Sequence, residues 1–256
     1  MSISEIMKKV LFATLLGLSF FASLLAPAHA ESQATIIPNH TGYLDLTSIP
    51  TTYHVVGEVN NSGTTNLKSL NVTATFYDSI GNVIGSAFAY TMLDVLLPNM
   101  KAPFEIVLIS GADRVNFYAL TLRFGEFQGS KPTFLTLVNV SKSLDVSGFT
   151  HVLGEMRNLA SQSATSAKVA ATFFDINHNV VSAAFEYCIP STIEPMDKAV
   201  FEIIPSRRIG GDISFVLVAE SAEYSIVPEF SSAQVVVFAG ILSLVLCFAW
   251  LKLHLK

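Results

Sequence analysis

His54 and His151 are the first residues in this 256-residue chain that invite a chemical reading, because they stand at matching places in two similar stretches, Tyr53-His-Val-Val-Gly-Glu58 and Thr150-His-Val-Leu-Gly-Glu155. A metal site or a general base would need a second His, a Cys or a paired carboxylate at ligand spacing. Neither histidine has one along its own strand, so a shared structural role is expected. Glu58 and Glu155 suggest the two-carboxylate chemistry of glycoside hydrolysis, but they belong to separate repeats and read as cross-strand polar partners. Asp78, Asn82, Asp175 and Asn179 could offer oxygens to calcium. Two or three such ligands fall short of the roughly six to eight that calcium takes, and turns favour Asp and Asn for their own backbone bonds. Arg207-Arg208 could meet an anionic lipid or an acidic partner, and reads more simply as a solvated turn. The sequence holds no nucleophile elbow, phosphate loop, dinucleotide fingerprint or zincin helix. The expectation is a non-enzymatic protein with no cofactor and no metal.

These residues sit in a duplication. Shifted by 97 positions, residues 53 to 106 align with 150 to 203 without a gap, and 22 of the 54 pairs are identical. A repeated supersecondary unit is the economical explanation. Within each copy the apolar period is two. Leu70, Val72, Ala74 and Phe76 fall on one face of a strand while Asn71, Thr73, Thr75 and Tyr77 fall on the other. Asp78 to Asn82 then interrupts the run and Val83 to Tyr90 resumes it, which predicts a hairpin. Its counterpart, Asp175 to Asn179, has His178 in place of Gly81, so a different loop conformation is expected there. Further strands are expected at 53–59, 104–109, 117–124, 149–156, 200–204 and 213–220. Leu44-Asp-Leu-Thr47, ahead of the first copy, resembles Leu144-Asp-Val-Ser147, ahead of the second. Six or seven short strands in about 95 residues without helical periodicity favour a sandwich over a barrel. The fold class is therefore all-β, with two tandem β-sandwich domains at 34–128 and 131–226. The short join Gln128-Gly-Ser-Lys-Pro132 predicts sandwiches set end to end.

The two ends of the sequence carry the address. Met7-Lys8-Lys9, an apolar run from Val10 to Leu25 and Ala28-His29-Ala30 match a secretory signal, which predicts a signal peptide at 1–30 and a mature chain from Glu31, with translation from Met1 or Met7. Residues 233–251 contain no charge. At about 1.5 Å per residue those 19 positions reach ~28 Å, enough for one C-terminal transmembrane helix. The basic tail 252–256 should stay cytoplasmic, which places the sandwiches outside a membrane-anchored cell surface. Between 31 and 232 the chain has 11 Lys and Arg against 19 Asp and Glu, a balance of 11 − 19 = −8 that disfavours nucleic acid. Cys188 lies in that exterior part and Cys247 in the expected span, so no disulfide between them is predicted. Sequons at Asn39, Asn60, Asn71 and Asn139 are candidates for N-glycosylation.

Gly57-Glu58-x-x-Asn61, the hairpin Phe76-Tyr-Asp-x-x-Gly-Asn-Val-Ile-Gly85 and a later Pro with Phe104-Glu-Ile106 resemble the FxLYD family of extracellular Ig-like or fibronectin-like sandwich domains, common in bacterial and archaeal surface proteins. Copy two departs at Phe174 and His178. The resemblance implies Ig-like surface modules and carries over no catalytic residues. Pro228-Glu229-Phe230, in the juxtamembrane segment 227–232 before the apolar span and basic tail, resembles PEF-type C-terminal sorting signals of archaeal surface proteins. That resemblance implies an archaeosortase-like processing enzyme as a partner, and the same segment also reads as an ordinary linker to a permanent anchor. The expected function is adhesion, envelope interaction or spacing at the cell surface. The alternative is an accessory ectodomain that captures a ligand for a membrane transport or signalling partner, with a concave site lined by aromatics such as Tyr53, Tyr90 or Tyr187.

Overall fold

The computed structural model describes residues 33–210 and 213–226. The expected signal peptide, the Pro228-Glu229-Phe230 motif, the apolar span with Cys247 and the basic tail lie outside the described residues.

Fifteen strands make up the described chain. The first copy contributes β1 (Ala34–Ile36), β2 (Thr41–Asp45), β3 (Thr52–Asn61), β4 (Leu67–Tyr77), β5 (Val83–Tyr90), β6 (Val95–Leu96), β7 (Lys101–Leu108) and β8 (Phe117–Glu126). The second contributes β9 (Thr133–Leu144), β10 (Thr150–Asn158), β11 (Lys168–Phe174), β12 (Val180–Tyr187), β13 (Lys198–Ile203), β14 (Ser214–Glu220) and β15 (Ser225–Ile226). The protein is all-β, with its sheets in a sandwich-like arrangement.

In the first copy β3 is central to one sheet, with β1 and β2 in succession along one edge and β7 along the other. The facing sheet is built on β4, flanked by β5 and β6 on one edge and β8 on the other. The second copy repeats the plan with β10 between β9 and β13, and β11 between β12 and β14. Its short β15 pairs antiparallel to β14 and parallel to β9, which fuses both halves into one seven-stranded sheet. The register obeys the 97-residue shift: Thr73 faces Phe88, and Ala170 faces Phe185.

Large side chains fill equivalent core positions, with Phe76 and Phe104 in one copy and Phe173 and Phe201 in the other. The repeated Gly and Phe of the two motifs are one device. Gly57 pairs across the sheet with Phe104, as Gly154 does with Phe201, and each phenyl ring lies over the glycine. A Cβ at Gly57 would stand 2.7 Å from the Phe104 ring and 2.8 Å from the His40 Cβ; at Gly154 it would stand 2.6 Å from the Phe201 ring. Gly57→Ala is therefore an overpacking substitution, expected to cost about 1–3 kcal/mol. Urea unfolding of the variant checks it.

Two expectations change. The hairpin loops do not differ, because Asp78 accepts the N–H groups of Ile80 and Asn82 while Asp175 accepts those of Asn177 and Asn179. His178 adopts the left-handed φ of 62° where Gly81 has 88°. The loop's shared hydrogen bonds thus outweigh the roughly 1–2 kcal/mol that a non-glycine residue gives up there.

The two copies are also not set end to end. They pack with the outward face of β3 and β7 against the outward face of β11 and β12. Val56 and Glu58 on that side of β3 are buried, as are Ala170 and Thr172 on β11, and the Thr172 Oγ1 donates to the Glu58 Oε1 at 2.9 Å. Both faces of β3 and β11 are covered, so these two strands lack a solvent side.

Candidate functional site

Part of the chemistry-bearing set, with His54 and Glu58, lies where the copies meet, and part, with His151 and Glu155, on the outward face of β10 and β13. His54 and His151 do not stand alone, as their own strands suggested. His54 Nδ1 lies 2.8 Å from Glu105 on β7, and His151 Nδ1 lies 2.7 Å from Glu202 on β13. These glutamates belong to the repeated Phe-Glu-Ile segments. The duplicated histidine and glutamate are two ends of one cross-strand pair that spacing along a single strand could not reveal. In copy one the His54 Nε2 also lies 2.8 Å from the Thr52 Oγ1, which itself lies 2.8 Å from the Ser48 Oγ. A hydroxyl, an imidazole and a carboxylate are thus in line, an order that can orient a histidine as a base. In copy two Phe149 takes the place of Thr52, and His151 Nε2 lies 3.4 Å from Asp145 instead. What the duplication keeps is the His–Glu pair, which ties the central strand to its neighbour. Hydrogen bonding to Glu202, against some desolvation and with help from Asp145, raises the His151 pKa.

Glu58 and Glu155 part company. Glu155 is a cross-strand partner as expected, accepting from Lys198 at 2.7 Å and Asn139 at 2.8 Å. Glu58 is not: its strand face is covered by the other copy, and its Oε2 is buried without a hydrogen-bond partner among the described residues. Burial pushes the Glu58 carboxyl up, opposed by the Thr172 hydrogen bond and by Lys101. A raised folded pKa means that this group's stabilising contribution is complete below its unfolded pKa and is lost as pH rises through the folded value. Glu58→Gln, which keeps an oxygen for Thr172, is expected to raise the unfolding midpoint by about 2–4 °C at pH 7. The gain should shrink toward pH 4, which paired thermal melts at the two pH values check.

A second buried cluster joins the copies at the other side of the junction. Glu220, at the end of β14, accepts from the N–H groups of Asp94 and Val95 and from the Nζ of Lys131 in the inter-repeat join. Lys168 on β11 bridges Asp94 at 3.0 Å and Glu220 at 3.3 Å. Burial opposes the charge on Lys168, but Glu220 and Asp94 outweigh it and hold its pKa above the usual value. Sequence reading did not single out any of these residues. Their repeat equivalents are Arg123 for Glu220 and Asn71 for Lys168, so the duplication carries no trace of the network.

Between the copies, at the Tyr43 end, lies an open cleft of about 460 Å³ lined by Tyr43, Asp45, Phe149 and Arg207-Arg208. The Arg207 guanidinium stacks 3.9 Å over the Tyr43 ring, so it packs against the other copy instead of forming a solvated turn. Burial, with the charge of Glu105, raises the Tyr43 hydroxyl to about 12.

The remaining candidates are dispersed. Asn39 donates to the His178 carbonyl of the other copy at 3.1 Å. Asn60 is half-buried on β3. Asn71 faces outward on β4 and accepts from the Thr73 hydroxyl at 3.2 Å; Asn139 is exposed on β9. Asp78 and Asp175 spend their oxygens on backbone N–H groups and on the Asn82 and Asn179 amides. Cys188 is buried, which pushes its thiol to about 12 and leaves it a weak nucleophile. Tyr53 packs edge-on against Phe76, while Tyr90 and Tyr187 are exposed on β5 and β12, so the three line no common cavity.

No family model matches the chain, and no curated protein matches it. Among solved structures it is similar to red sea bream transglutaminase, at 10% identity over 76% of this chain and 32% of that one, with a TM-score of 0.27. The chain thus spans about a third of that protein's length. A likeness this slight carries no argument about activity.

Proposed function

We propose that this chain is a non-enzymatic protein of the cell surface, exported by its N-terminal segment, anchored by its C-terminal apolar span, and using two Ig-like, FxLYD-type modules for envelope interaction or spacing. The observation that carries this reading is the junction. Two sandwich-like copies are joined face to face by the Asp94–Lys168 bridge, by the Asp94 and Val95 N–H groups on the buried Glu220 carboxylate, and by a buried Glu58–Thr172 bond. Such an arrangement suits a module that presents its outermost sheet faces to partners. The Pro228-Glu229-Phe230 segment beside the span supports processing by an archaeosortase-like membrane enzyme. Intact mass spectrometry of the protein extracted from its native membrane tests both parts. A chain starting at Glu31 and ending between Val227 and Ser231, with added lipid or glycan, is the expected result. A chain keeping Lys256 makes the span a permanent anchor and removes the processing step. A chain keeping residues 1–30 in a soluble fraction overturns the surface reading.

A second reading, capture of a small ligand for a membrane partner, is favoured by the cleft in which Tyr43, Phe149, Arg207 and Arg208 bring aromatic faces and cations together. An anionic, ring-bearing solute suits that lining.

A further inference from the structure

The contact between the copies is made once inside each chain, yet the duplication supplies both of its halves twice. Its donor half is the outward face of β3 and β7, with Val56, Glu58 and Pro103 buried against the second copy. The equivalent positions on β10 and β13 are Leu153, Glu155 and Val200, and this face is open: Leu153 is 37% and Val200 53% exposed. Its acceptor half is the outward face of β11 and β12, with Ala170, Thr172, Val180 and Ala183. The equivalent positions on β4 and β5 are Thr73, Thr75, Val83 and Ser86, of which Val83 (62%) and Ser86 are exposed and the two threonines half-buried.

Residue types are kept on both open halves in the way the closed contact uses them. Val56 and Pro103 become Leu153 and Val200, so the donor stays apolar although water reaches it. Ala170, Thr172 and Ala183 become Thr73, Thr75 and Ser86, so the acceptor stays small and flat. The Phe185–Tyr187 pair that borders the closed acceptor recurs as Phe88–Tyr90, in the same edge-to-face arrangement. The edge contact recurs too. Asn39 and Thr41 donate to the carbonyls of His178 and Val180 in the closed contact, and their positions on β9 hold Asn139 and Ser141.

We propose that chains associate head to tail, the outward face of β9, β10 and β13 of one copy of this protein seating on the outward face of β4, β5 and β8 of the next. The occupant of each open face is then a second copy of the chain, held as the two halves are held internally, with Glu155 meeting Thr75 as Glu58 meets Thr172. The contact is heterologous, so one chain offers one donor and one acceptor and the association propagates as a string. The added hydroxyls make it wetter than the internal junction, as befits a reversible interface. The inference deepens the surface-protein reading as a form of envelope interaction, but its test does not depend on where the chain is anchored.

The experiment uses the full chain in detergent, with Cys247→Ser to remove one background thiol, and a short bis-maleimide. Thr75→Cys combined with Glu155→Cys is expected to give a ladder of cross-linked dimers, trimers and longer species, while neither single variant does. Adding Leu153→Lys and Val200→Lys should abolish the ladder. Glu58→Cys with Thr172→Cys should cross-link within one chain, which shows that the internal template is formed. Monomers only from the first pair, dimers from Thr75→Cys by itself, or failure of the internal pair each overturn the proposal. So does a glycan on Asn71 or Asn139 of the native protein, since either would cover an interface. None of these results alters the mass-spectrometric test of export and anchoring.

Discussion

Replacement of Glu220 by Ala is expected to lower stability by about 3–5 kcal/mol. Among the described residues Glu220 is the one carboxylate that both Lys131 and Lys168 reach, and all three side chains are buried. Removing it leaves two ammonium groups out of water, with the largely exposed Asp94 as the remaining partner of Lys168. It also leaves the N–H groups of Asp94 and Val95 without their acceptor. Glu220→Gln keeps an oxygen for those N–H groups and should lose less. Urea titration with tryptophan-independent detection, such as far-ultraviolet dichroism, gives the comparison. A loss for Glu220→Ala of about 1 kcal/mol, the size of a surface pair, would show that the cluster is solvated and does not hold the copies together.

Asn61→Ala should cost roughly 3 kcal/mol, by a different mechanism. Asn61 is fully buried at the end of β3, where its Nδ2 donates to the carbonyls of Thr65 and Leu96 at 2.8 and 2.9 Å and its Oδ1 accepts from the Gly63 N–H at 3.1 Å. One side chain thereby ties together three backbone groups of a turn and of β6, of which the Gly63 N–H also reaches the Gln33 carbonyl at 3.1 Å and Leu96 also pairs with Leu67 of β4. Each buried group left unpaired costs about 1–3 kcal/mol, and the Gln33 carbonyl that the Gly63 N–H keeps holds the sum near the lower bound. Asn158 repeats the arrangement with Gln162, Ile193 and Ala160. Asn158→Ala should therefore show a loss of the same size, measured in the same titration. A large effect in one copy and none in the other would mean that the shared asparagine is not what closes the turn.

The sequence motifs acquire physical meanings in this light. In Gly-Glu-x-x-Asn the glycine makes room for the phenylalanine of the neighbouring strand, and the asparagine closes the next turn. Both roles are local to one sandwich, so both copies keep them and the duplication made them visible. The glutamate between them serves two environments, one buried and one half-buried beside Lys198 and Asn139. Its identity in the two copies gave no warning of that difference.

A signal for the junction was present in the contrast between two strands. Leu70-Asn-Val-Thr-Ala-Thr-Phe-Tyr77 alternates apolar and polar residues, whereas Lys168-Val-Ala-Ala-Thr-Phe-Phe174 has lost most of its polar face. Loss of alternation marks a strand covered on both sides, and β11 is buried along nearly its whole length.

By itself the sequence determined the duplication, the strands, their two-residue periodicity and the hairpin turns, because these depend on neighbours a few residues apart and on which side of a pleat a residue falls. Tertiary structure decided which outward faces are covered. The His54–Glu105 pair spans 51 residues and the Lys131–Glu220 pair 89, and the copies lie face to face because apolar faces without internal partners are driven together. No local period encodes a contact between positions so far apart, so Glu58 and Glu155, alike in sequence, became a buried tie between the copies and a half-buried partner within one copy.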